Sequence, residues 1–237
     1  MHLEKMKMSV FGFSTEPSTG GDFTPIVKFD ARAGRVFRVD REQTADGFAS
    51  NPIDITAAFK AVVDFENVEV GWMDFPPGSA PSFVLVPLAS MSQGQTLPDK
   101  PSAKHKNGVR FLLKLAKPCG GDKPVRELAG TSKAFLAGVE EVYKEYLKEK
   151  PKYNGQLPVI SLASTTPVKT GSGAQSSTNY RPTFKIEGWA KRPEDLIYLR
   201  PSAVPVEPLA KTPPSTGSQT VPPPNEMKSN NLDDDFG

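Results

Sequence analysis

The 237-residue chain has little of what most enzyme chemistry requires. It has one cysteine, Cys119, so it can form no internal disulfide and no cysteine-rich zinc site. It has two histidines, His2 and His105, and a His-based metal site or a Ser/His/Asp triad would have to use one of them. His2 sits at a terminus expected to fray, and His105 lies among Lys104, Lys106 and Asn107 in a stretch expected to be solvated. Apolar runs are short, such as 83–86, against the roughly 20 residues of a membrane helix. The opening MHLEKMKMSV has no apolar core of a secretory signal. The phosphate-cradling GxxxxGK[ST] motif is absent, as are GxGxxG and GxSxG. The expectation is a non-enzymatic cytoplasmic protein with no cofactor, no bound metal and no membrane partner.

The charge is nearly balanced, 29 Lys and Arg against 27 Asp and Glu, but unevenly placed. Residues 201–237 carry Glu207, Glu226, Asp233, Asp234 and Asp235 against Lys211 and Lys228, a local charge of −3 that leaves +5 on residues 1–200. Eight of the 24 prolines fall in the same 37 residues. Such a stretch buries too little apolar area to offset its ordering entropy. Two regions follow: a folded domain over 1–200 and a disordered Pro-rich tail over 201–237. The tail ends in a distinct tip, Asp233-Asp234-Asp235-Phe236.

The body reads as mainly β. Short β-like segments recur at 25–29, 35–39, 59–65, 68–72, 82–88, 109–115, 157–163 and 183–189. Alternation breaks once, at Glu66-Asn67, where a tight turn or bulge is expected. The Gly/Ser/Thr-rich stretch 164–179 reads as a long mobile loop. One amphipathic helix is expected over about 132–149, capped by Ser132, with Phe135, Val139, Val142, Tyr143 and Tyr146 on its core face and Pro151 ending it. Several strands with one helix suggest a small barrel or sandwich, and an OB-fold-like five-stranded barrel fits best.

Two stretches combine cations with aromatics. KPSAKHKNGVRFLLKLAK, 100–117, has six Lys or Arg and no acid; its second half is a strand with Arg110 and Lys114 opposite Phe111, Leu113 and Leu115. NYRPTFKIEGWAKRPEDL, 179–196, interleaves Tyr180, Phe184 and Trp189 with Arg181, Lys185, Lys191 and Arg192. Phe184 is assigned to the core, Trp189 suits either core or platform, and Tyr180 and Arg181 are placed on a loop. A third cluster puts Trp72 and Phe75 at a strand end. Unpaired nucleic-acid strands need positive charge for phosphates and flat apolar faces for bases. Trp72, Phe75, Lys104, Lys106, Arg110, Lys114, Tyr180, Arg181, Lys185, Trp189, Lys191 and Arg192 are therefore the candidate contacts. The carboxylates Asp54, Asp64, Glu66, Glu69 and Asp74 are read as solvent-facing charges rather than as the metal site of a nuclease.

The order of these pieces resembles a known family. A Gly-Trp strand is followed by a turn with Phe75, Gly78 and Pro81. Then come the basic stretch, the strand 109–115, the helix, and a Tyr-x-x-Pro-x-Phe-x-Ile-x-Gly-Trp-x-x-Arg-Pro segment at 180–193. The chain is similar in this to the single-stranded DNA-binding proteins of tailed phages over about residues 20–200 and at the tip. Here a Gly follows the terminal Phe, and the acidic run is three long. The resemblance implies an OB-fold replication or recombination protein that protects single-stranded DNA without sequence preference. It also implies that Asp233, Asp234, Asp235 and Phe236 recruit replication proteins such as polymerase or helicase–primase. The alternative is an interaction scaffold or phage structural protein with incidental nucleic-acid affinity.

Overall fold

The computed structural model describes residues 24–44, 47–77, 79–170, 173 and 176–198; the expected tail and its acidic tip, His2 and Gly78 lie outside the described residues. Ten strands, β1 (Ile26–Asp30), β2 (Arg35–Thr44), β3 (Gly47–Asp54), β4 (Lys60–Val63), β5 (Glu69–Asp74), β6 (Ser82–Pro87), β7 (Lys106–Leu115), β8 (Val125–Gly130), β9 (Gln156–Thr170) and β10 (Ser177–Lys191), make one sheet. The helices are α1 (Leu88–Met91), α2 (Lys117–Gly120) and the long α3 (Lys133–Glu149). The protein is mainly β, as its sequence indicates. No helix among the described residues is long and apolar enough to cross a membrane.

Strand β7 is the spine. Its Val109, Phe111, Leu113 and Leu115 are buried, while Arg110 and Lys114 take the other face, the two-residue alternation of a half-buried strand. Strands β4 and β5 lie end to end along one side of it: Ala61–Val63 oppose 113–115, and Glu69–Met73 oppose 106–110. The single helical turn 65–67 separates them, at the expected phase break. On the other side of β7 run β8, β1 (parallel to β8), β2 and β3. Strands β9 and β10 extend the sheet from β4, and β6 pairs with β5.

Two features differ from the sequence-based expectation. Among the described residues the strand number is ten rather than five, and the terminal strands β3 and β10 do not pair with each other. A hydrogen bond from the Tyr180 N–H to the Ala31 carbonyl at 2.6 Å joins β10 to the β1–β2 turn. The stretch 164–179 is not a long loop. It is ladder, with Ser164, Thr165 and Thr166 opposite Thr183, Pro182 and Arg181, so the connection shrinks to 171–176. Threonine has the polarity of a loop residue, but it is β-branched and sits well on a pleated surface.

Helix α3 packs on the core face through Phe135, Val139, Val142 and Tyr146. Ser132 stands at its N-cap and its carbonyl accepts the Leu136 N–H, but its hydroxyl makes no capping bond. Phe65 sits at the junction, its ring centroid 5.4–5.5 Å from those of Phe111, Tyr143 and Tyr146. Phe184 is core, beside Phe59. Each such side chain contributes about 1.5–3 kcal/mol by burial.

Candidate nucleic-acid interface

The end of the sheet formed by β5, β6 and β7 carries the first group of candidates. Register places Met73 opposite both Phe83 and Lys106, and Trp72 opposite Val84 and Asn107. Directly opposed residues share a face, so Phe83, Lys106 and Arg110 stand together and Trp72 points the other way. Phe75, just past β5, is 46% exposed and meets Phe83 edge-on, ring centroids 5.7 Å apart. The Arg110 guanidinium lies 5.1 Å from the Phe83 ring centroid. Lys104 and Lys106 are exposed and make no ion pair among the described residues. This face thus unites Phe75, Lys106 and Arg110, with Lys104 on the approach to β7. It adds Phe83, which in sequence is only one residue of an apolar strand; its place becomes visible through the β5–β6 register.

Trp72 is half-buried. Its indole N–H donates to the Pro98 carbonyl at 2.7 Å, and the Lys100 ammonium sits 5.4 Å from its ring. Two of the expected phosphate contacts are already neutralised. Arg110 donates to Glu69 at 2.7 Å from Nε and reaches Glu127 at 3.8 Å. Burial pushes the Glu127 carboxyl above its ordinary pKa; Arg110 opposes that rise and Glu69 adds to it. Lys114 Nζ lies 2.7 Å from both oxygens of Asp195. Arg110 therefore acts here as a prop against Phe83 more than as a source of positive field.

The 180–193 group is more structural than its sequence suggests. Tyr180 lies in β10 rather than on a loop, half-buried, with its ring against Gly34. A Cβ at position 34 would fall 2.8 Å from the Tyr180 Cγ, and φ there is +67°, so glycine is required twice over. Arg181 pairs with Glu141 at 3.1 Å, and Lys185 with Glu187 at 3.4 Å. The Trp189 ring stacks at 4.6 Å on Tyr153 and at 5.8 Å on Tyr146, which makes it a packing residue. Lys191 is exposed.

Arg192 closes an ion-pair cluster. Its two terminal nitrogens lie 2.7 Å from the two oxygens of Asp64, and one reaches Glu66 at 3.0 Å. Asp64 has no exposed surface. Asn67 supplies a further bond to Asp64 at 2.8 Å, and Lys150 pairs with Glu66 at 3.1 Å. The bonds to Asp64 raise the Arg192 pKa, against the effect of burial. Burial pushes Glu66 up, but Arg192 and Lys150 outweigh it and hold the carboxyl below its usual range.

Most of the carboxylates weighed for metal binding are thus bonded to the protein itself: Asp64 and Glu66 to Arg192, Glu69 to Arg110, and Asp54 to Arg35 and Thr56. Among the described residues no group of three or more His, Cys, Asp or Glu is placed to hold a metal ion. His105, expected to be solvated, is buried. Its Nδ1 is 2.9 Å from the Ser102 hydroxyl and its Nε2 3.2 Å from that of Ser82, tying the segment before β7 to β6.

No protein-family model, curated protein or solved structure matches the chain.

Proposed function

We propose that the protein binds single-stranded DNA without sequence specificity, in the replication or recombination of a tailed phage, and catalyses nothing. The observation that carries this reading is the exposed Phe75, set edge-on against the half-buried Phe83, beside Lys104 and Lys106, which make no ion pair among the described residues. An exposed ring such as that of Phe75 offers stacking surface to any base, and uncompensated lysines attract the backbone. The fold proposal that accompanies it is an OB-like core around β7 with α3 across it, enlarged by β1, β2 and β3. The acidic tip at 233–236 is proposed to recruit polymerase or helicase–primase. A second reading, an interaction scaffold with incidental nucleic-acid affinity, draws support from the commitment of Arg110, Lys114, Arg181 and Arg192 to acidic partners.

Fluorescence titration and mobility shift with dT-rich oligonucleotide, duplex DNA and single-stranded RNA test the proposal. Single strands are expected to bind far better than duplex, because a duplex hides its stacking faces. Phe75→Ala, at a side chain 46% exposed, is expected to keep the fold and lose about 1–3 kcal/mol of affinity. Equal affinity for duplex and single strand, or unchanged binding by Phe75→Ala, favours the scaffold.

A further inference from the structure

Strand β6 pairs with β5 on one side, and no strand among the described residues occupies its other side. The Leu88 N–H donates to the Val68 carbonyl at 2.8 Å, and the β5–β6 register continues that pairing through Val70↔Val86, Trp72↔Val84 and Asp74↔Ser82. Antiparallel ladders alternate, so Ser82, Val84 and Val86 turn their backbone groups toward β5. Phe83 and Leu85 turn theirs outward. Pro81 and Pro87, which have no N–H, bracket them.

The other free edges carry the usual protection against pairing. Strand β3 contains Pro52, and β10 contains Pro182 with Arg181, Lys185, Glu187 and Lys191, as well as two register irregularities. Strand β6, Ser-Phe-Val-Leu-Val-Pro, has no charged residue. Its window Pro81-Ser82-Phe83-Val84-Leu85-Val86-Pro87 is also nearly symmetric about Val84.

We propose that the free edge of β6 pairs antiparallel with the β6 edge of a second copy of this chain, about a twofold axis at Val84. In that register Phe83 of each copy opposes Leu85 of the other, and each such pair exchanges two backbone hydrogen bonds. Val84 faces its own counterpart. Both prolines fall at the ends of the ladder, where no N–H is needed. A twofold axis sets each residue against a residue of its own window, so a charge near its centre would meet a like charge close by; this window has none. An even register also keeps equivalent sheet faces on the same side, so the two Phe75–Phe83 surfaces adjoin. The pairing is independent of what those surfaces bind.

The test uses the full chain without nucleic acid. Sedimentation equilibrium is expected to show a concentration-dependent dimer. Val84→Lys, which sets two ammonium groups opposite each other, is expected to weaken it roughly five- to tenfold. Opposed non-hydrogen-bonded residues lie about 4.5 Å apart at Cα, within disulfide reach. Val84→Cys is therefore expected to form a covalent dimer under mild oxidation much faster than Ser50→Cys on the β3 edge; the buried Cys119 does not compete. A single monomer mass at every concentration overturns the proposal, and so does equally slow crosslinking at 84 and 50. A dimer that survives Val84→Lys but is lost on deleting 201–237 assigns association to that segment and also overturns it.

Discussion

Replacing Arg192 with methionine separates a structural arginine from a DNA-binding one. The guanidinium makes two 2.7 Å bonds to Asp64, one of 3.0 Å to Glu66 and one of 3.3 Å to the Leu196 carbonyl. Methionine keeps much of the side-chain stem and removes all four. Asp64 then stays fully buried with only the Asn67 amide among its side-chain partners. Removing one member of a buried pair costs about 3–5 kcal/mol. Arg192 retains a third of its side-chain exposure, so screening lowers the expected loss to about 2–4 kcal/mol. For a protein of this size that is a fall of about 5–15 °C in melting temperature. Lysine at 192 keeps the charge but cannot make the two-pronged contact, so Arg192→Lys is expected to recover only part of the loss. Thermal and urea denaturation measure stability, and oligonucleotide titration at low temperature measures binding. If Arg192→Met melted with the wild type yet lost its affinity for DNA, the clamp argument would be refuted and the arginine would belong to the interface.

Three further outcomes are expected. Alanine at both Lys104 and Lys106 should weaken all single-stranded sequences alike and reduce the slope of log K against log salt by about 0.7 for each phosphate no longer neutralised; an unchanged slope places the backbone path elsewhere. Gly138→Ala should destabilise the fold, since a Cβ there collides with the Pro182 backbone carbonyl where α3 crosses β10, and a melting curve equal to wild type would contradict that close approach. The Asp54 carboxyl is lowered to about 2 by the Thr56 hydroxyl, the Thr56 N–H and Arg35. Its folded pKa is depressed, so its contribution is present above the unfolded value of about 4 and fades as pH falls toward 2. Asp54→Asn should flatten that part of the stability profile, read from urea midpoints across the pH series.

Much of the fold is legible in the sequence because it is a property of local pattern. The alternation along 109–115, the phase break at Glu66-Asn67 and the helical spacing from Phe135 to Tyr146 each specify an element without reference to the rest of the chain. The concentration of cations and aromatics in 100–117 and 179–196 is equally plain in composition. What each cation does is not, because it depends on which acid the fold brings beside it. Arg110 meets Glu69 across a ladder, Lys114 meets Asp195 from 81 residues away, and Arg192 meets Asp64 from 128 residues away. In sequence all three look like Lys104 and Lys106, which have no such partner among the described residues. The aromatics divide in the same manner: Trp189 stacks on Tyr146 and Tyr153, Tyr180 rests on Gly34, and Phe75 stays open. Composition and periodicity set which elements form and that the body is basic and aromatic. Only tertiary pairing decided which charges cancel and which rings remain exposed, since both depend on contacts between residues far apart in the chain.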